Sequence, residues 1–151
     1  MADEALRPMS GRTQTHGVSR HAFPGRHFQL WNYQVSHAML LLRSPKDADH
    51  STRVEIAFKN VRAIKLPTTL DDLAISVADE VSAQPIRAEA GVLKEGGEVF
   101  LIEGVGTKGY VIAGIAFGQE DEGDYADPSP LLSGRWNGPG WQLPGKTQRS
   151  A

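Results

Sequence analysis

Apolar positions in this chain alternate with polar ones more clearly than they recur at helical spacing, and Thr52–Lys59 is the cleanest instance. There Val54, Ile56 and Phe58 alternate with Arg53, Glu55, Ala57 and Lys59, the two-residue period of a half-buried strand. Val54, Ile56 and Phe58 form its expected core face. Upstream, Phe28, Leu30, Trp31, Tyr33 and Val35 make an aromatic and branched run, and Met39–Leu42 follows after Ser36 and His37. This pattern predicts two strands or one long bent strand, and apolar groups on both faces place it centrally. Val61–Leu66 continues in β character until Pro67 ends it. Val99–Ile102 and Tyr110–Phe117 flank Gly104, Gly106 and Gly109, the arrangement of a hairpin with a glycine-rich connection.

Residues 68–81 carry two periods at once. Leu70, Leu73, Ala74, Val77, Ala78 and Val81 fit a helix that Thr68 and Asp71 would cap, whereas Leu73, Ile75 and Val77 alternate like a strand. The pattern leaves helix and strand open, with the β neighbours tilting slightly toward strand. Ser44–Ser51 is a turn-rich loop, and Gln119–Asp127 is an acidic connection. Residues 1–26 lack sustained apolar periodicity and are expected to form a flexible arm. The proline- and glycine-rich stretch 127–151 reads as a tail. The expected architecture is therefore one mainly β domain over 27–126, an antiparallel barrel or sandwich of six to eight strands with at most one helix.

Composition agrees with that size of unit: 151 residues, 40% hydrophobic and 23% charged, suit a single globular domain. With no cysteine, a thiolate nucleophile, an iron–sulfur cluster and a cysteine zinc site are excluded. The longest wholly apolar run is Ala38–Leu42. A membrane span needs about 20 such residues and a signal peptide about 7 or more, so neither is expected and the cytoplasm is the default location. The formal net charge of -2 conceals an asymmetry. Residues 1–68 hold ten basic against five acidic residues, and residues 69–151 hold six against thirteen. Such polarity can steer partners of opposite sign to opposite surfaces.

The runs Leu30–His37, Leu40–Pro45 and Phe58–Pro67 resemble small bacterial β-rich proteins of uncharacterised function. That resemblance covers about a quarter of the chain, implies a compact bacterial domain and transfers no site residue.

Candidate chemistry is thin. His27, His37, Asp47, Asp49 and His50 supply atoms a zinc or iron ion would accept, but no close histidine pair has diagnostic spacing, so no metal or other cofactor is expected. Gly104–Gly109 departs from the phosphate-loop pattern, and a hairpin turn explains its glycines. Ser36 and His37 would point to opposite faces of a strand. Arg7, Arg12, Arg20 and Arg26 are too dispersed to make nucleic acid the expected partner.

Two oddities remain. Glu120, Asp121, Glu122, Asp124 and Asp127 crowd five negative charges into eight residues, which repel unless a basic surface or cation offsets them. Trp136 and Trp141 sit in the tail, where exposed rings would serve as interface anchors or the tail would fold back over the domain. The expected role is therefore a non-enzymatic protein-interaction module, immunity-type or adaptor-like, binding through Glu120, Asp121, Glu122, Asp124, Trp136 and Trp141. The alternative is a small-ligand binder or metal-dependent enzyme with a pocket at the barrel mouth, using His27, His37, Asp49 or His50.

Overall fold

The computed structural model describes residues 20–133 and 140–144. Its elements in chain order are β1 (Arg20–Ala22), β2 (His27–Gln34), β3 (Met39–Ser44), β4 (Arg53–Lys59), β5 (Ala63–Lys65), β6 (Thr69–Asp71), β7 (Ala74–Val77), α1 (Glu80–Ala90), β8 (Glu98–Gly104), β9 (Thr107–Ala113), β10 (Ile115–Asp121) and β11 (Trp141–Leu143). They build two antiparallel sheets, a five-stranded one in the order β1-β7-β8-β9-β5 and a six-stranded one in the order β11-β10-β4-β3-β2-β6. The architecture is sandwich-like rather than a closed barrel. Seven of these strands run four residues or more, and the other four are three-residue pieces at the sheet edges.

Between the sheets lies the main core. Phe28, Leu40, Leu42, Val54, Ile56 and Phe58 from the six-stranded sheet meet Ile75, Phe100, Ile102 and Val111 from the five-stranded one. The alternation of β4 thus assigned its inward face correctly. Its other face departs from the half-buried expectation, because Arg53, Glu55 and Ala57 are also buried. Each sheet carries a second, outer cover. Helix α1 lays Ala83 over Val99, Tyr110 and Ile112. The short 3-10 turn Pro130–Ser133 brings Leu131 onto Met39, Leu41, Ala57 and Phe117. Strands covered on both faces need apolar groups on both faces, which explains the continuous apolar runs in β3 and β9.

The ambiguous residues 68–81 contain strands: Leu70 of β6, Ile75 of β7 and Leu73 just before β7 all enter the core. The helix begins later, where the Asp79 carboxylate accepts from the Ser82 N–H at 2.7 Å, and it ends at Gly91 in the left-handed conformation. The apolar run Tyr110–Phe117 is two strands rather than one. It breaks at Gly114, so β9 pairs with β8 in one sheet while β10 crosses to pair with β4 in the other. The glycine-rich segment is the tight hairpin between β8 and β9, with Gly106 at φ 67. At its start the chain corrects the arm boundary: Arg20–Ala22 pairs with β7 and Arg26 is buried, so the described part of residues 1–26 belongs to the fold.

Candidate functional site

The acidic connection is fastened to the outer face of the six-stranded sheet by two buried arginines. In the β4/β10 register Arg53 lies opposite Asp121. Its Nε donates to Asp121 Oδ1 at 2.8 Å and its Nη2 to Oδ2 at 3.1 Å, a two-point guanidinium–carboxylate pair. The same guanidinium reaches the loop backbone, donating to the carbonyls of Asp127 at 2.7 Å, Pro128 at 3.1 Å and Asp124 at 3.3 Å.

One row further along, Arg43, Glu55 and Gln119 lie side by side on β3, β4 and β10. Arg43 donates through Nε to Glu55 Oε2 at 2.8 Å, its Nη2 lies 2.7 Å from the same oxygen as an ion pair, and its Nη1 donates to the Tyr125 carbonyl at 2.9 Å. Glu55 Oε1 accepts from Gln119 at 2.9 Å and from the Ser129 hydroxyl at 2.8 Å. Two cations and two anions therefore balance beneath residues 121–129. Their side chains are hidden from water at Arg43, Arg53 and Glu55, where exposure is 2% or less. A buried charge persists only when paired and hydrogen-bonded in this way.

Aromatic groups close one side. A register shift between Leu30 and Asn32 puts a bulge in β2. Trp31 then packs with the outer cluster, its ring 4.5 Å from the Arg43 guanidinium and edge-to-face with Tyr125 at 5.0 Å. Between β2 and the returning loop runs an open groove of about 400 Å³, lined by Trp31, Asn32, Gln34, Arg43, Asp127 and Ser129 among others.

The predicted acidic residues have separate jobs. Asp121 is committed to Arg53. Glu120 faces the other way, accepting from Thr52 and lying 3.4 Å from buried Arg26. Asp124 meets Lys46 at 3.0 Å, and Glu122 is exposed. The offsetting cations that such a run requires are thus Arg53, Arg26 and Lys46. Trp136 lies outside the described residues. Trp141 stacks on His21 at 4.1 Å and packs against the main core, with Gly118 beneath its ring, so this part of the tail does fold back. Burial holds His21 below its ordinary value, which favours a neutral ring against the indole.

Among the described residues the histidines do not converge. His27 meets Asp71 at 2.6 Å and His50 meets Asp47 at 2.8 Å, whereas Asp49 gives its N–H to Asp47. Ser36 and His37 correct the strand expectation. They share a 3-10 turn, where Oγ and Nδ1 are 3.0 Å apart on an exposed surface. Among the described residues no group of three His, Asp or Glu side chains could hold a metal ion, and no helix is long and apolar enough to cross a membrane.

Sequence reasoning missed Arg43, Arg53 and Glu55 as parts of this site. The one signal was the acidic run's need for a cation; nothing in the alternation of β4 pointed to which arginine supplied it.

Burial alone would raise the Asp121 carboxyl, but hydrogen bonds from Arg53, Gln119 and the Gly123 N–H outweigh it and lower the pKa to about 2. An unfolded aspartate titrates near about 3.9. The stability contributed by this group is therefore present above about pH 4 and is lost as pH falls toward 2. Acid unfolding followed by circular dichroism is expected to show this decline, and Asp121→Asn is expected to remove that component while lowering stability at neutral pH. An unchanged acid profile in the variant would mean the pair does not govern this window.

The fold and site together define a mainly β sandwich with helix and loop covers and a charge-clamped acidic loop. Comparisons add no relative: no family model, curated protein or solved structure matches this chain.

Proposed function

We propose that this chain is a non-enzymatic protein-interaction module whose acidic loop after β10 meets a basic protein surface. The observation that carries the reading is the Arg53 clamp, which fixes the loop through three backbone carbonyls and leaves Glu122, Asp124 and the Tyr125 ring facing solvent. A loop already tied to its sheet gives up less entropy on binding than a free one. Clustered carboxylates raise the rate of encounter with a cationic partner, and an aromatic ring at close contact slows departure.

In this reading the anchor is Tyr125, 56% exposed and backed by Trp31. Trp141 instead serves the fold, and Trp136 stays an anchor only by the sequence argument. Glu120 and Asp121 support the loop from beneath. An immunity-type or adaptor-like role in a bacterium fits such a surface. The rival with a pocket at the mouth of a barrel finds less support, because Phe28, Phe58 and Phe100 fill the space between the sheets and His27, His37 and His50 sit in separate contacts.

The test is affinity capture from native lysate with wild-type bait and with a Glu122→Gln/Asp124→Asn bait, followed by kinetics on the captured protein. The double variant is expected to lower the association rate several-fold at low salt, with the difference closing at high salt. Tyr125→Ala is expected to raise the dissociation rate about tenfold. Equal capture and unchanged kinetics in both variants would remove the reason for choosing this surface.

A further inference from the structure

The inner half of β2 is covered and its outer half is not. His27, Phe28 and Gln29 pair with β6, and the Leu30 N–H reaches the Thr68 carbonyl, after which the chain before β6 leaves the edge. From Trp31 to Gln34 the outward side of β2 has no strand partner among the described residues. Four residues of strand present about 13 Å of backbone donors and acceptors. Native edges are usually blunted by charge, especially lysine, or by proline. Here the side chains are Trp31, Asn32, Tyr33 and Gln34, none of them charged.

The bulge adds a second feature. Leu30 stands opposite inward-facing Leu42, whereas Asn32 and Gln34 stand opposite Leu41 and Met39 of the outer cluster. Trp31, Asn32 and Gln34 therefore all line the groove, directly beside the bare edge. Across that groove the Arg43 charge is taken by Glu55, so Asp127 is the carboxylate that the lining presents, within reach of the Arg53 field but not in a direct ion pair with it. Asp124, which meets Lys46, lies in the same exposed loop.

From this juxtaposition we infer that Trp31–Gln34 accepts an extended cationic segment of a partner protein as an added strand. Main-chain hydrogen bonds give the segment its hold, and alternate lysine or arginine side chains reach over the groove toward Asp127 and Asp124. The inference rests on the proposed role of the acidic loop and names the shape of the partner that the loop would meet.

Titrating the full chain with an acetylated, amidated octapeptide of alternating lysine and valine tests it. Amide exchange at Trp31–Gln34 is expected to slow on binding. Affinity is expected to fall at least tenfold when the backbone N–H groups facing β2 are N-methylated, and about threefold or more in Asp127→Asn. Asparagine there still offers an oxygen to the Asp124 N–H, so the loop keeps its internal bond.

If the N-methylated peptide binds as well as its parent while Glu122→Gln/Asp124→Asn weakens both, strand addition is overturned and the loop remains a docking surface. If an alternating glutamate and valine peptide binds equally well, the acidic loop reading falls, and the inference falls with it. No protection at about 1 mM peptide would also overturn it. So would protection already present in the free protein: independent of concentration it would mean the chain covers its own edge, and rising with concentration it would mean a second copy does.

Discussion

Glu55→Gln is expected to lower the unfolding free energy by about 3–5 kcal/mol, as read by urea denaturation at neutral pH. The carboxylate is fully buried and takes three hydrogen bonds, one each from Arg43, Gln119 and Ser129, beside an ion-pair contact with the Arg43 Nη2. Glutamine preserves the size and one carbonyl oxygen but removes the charge, so the Arg43 guanidinium is left buried without its counter-ion. Replacing the pair together, Arg43→Met with Glu55→Leu, is expected to cost less than the single change, because no unpaired charge remains. A loss under about 1 kcal/mol in Glu55→Gln would mean that water reaches the site and screens it.

The consequence extends to the loop. Glu55 holds Ser129 directly and holds the Tyr125 carbonyl through Arg43, whereas Arg53 holds Asp124, Asp127 and Pro128 independently. Amide exchange near Tyr125 and Ser129 is therefore expected to quicken in Glu55→Gln. Arg53→Met is expected to loosen the whole stretch from Asp121 to Pro128.

Local pattern revealed the strands and missed what covers them. The alternation in β4 marked Val54, Ile56 and Phe58 as inward, since that face obeys the ordinary rule of apolar burial. Arg53 and Glu55 on the opposite face looked solvated because their partners lie 64 to 75 residues away at Gln119, Asp121, Asp127, Pro128 and Ser129. Periodicity within a strand carries no information about a loop that returns over it. The break at Gly114 was similarly hidden, since Ile115–Phe117 continues the β character of β9 while pairing in the other sheet.

Helix α1 escaped notice for a different reason. It buries only Ala83 fully and contains Pro85, so its apolar stripe is thin and interrupted. The caps at Asp79 and Gly91 were the readable signals there. For the site, the acidic run's need for a cation is met and Trp141 takes the fold-back alternative, but in each case the contact comes from a distant earlier part of the chain: Arg26, Lys46 and Arg53 for the acids, His21 for Trp141.

Phe58→Ala is expected to destabilise the fold by about 3–5 kcal/mol, since it removes the largest ring that β4 sends between the sheets. Phe58 is fully buried and meets Phe100 of the opposite sheet edge-to-face, with centroids 5.7 Å apart at 66°. On its own sheet it stands between Leu40 and Ala116, both fully buried. Backbone hydrogen bonding holds all three strands in place, so the neighbours can close the void only partly and a cavity remains. Phe58→Leu keeps most of the volume and loses mainly the ring contact, so a loss of about 1–2 kcal/mol is expected. Domains of this size are stable by about 5–15 kcal/mol, so the alanine variant would remove a large share while the leucine variant stayed folded. If Phe58→Leu lowers the urea midpoint as much as Phe58→Ala, the lost ring contact with Phe100 and not the cavity accounts for the effect, and if neither variant moves the midpoint, Phe58 is not what ties the two sheets together.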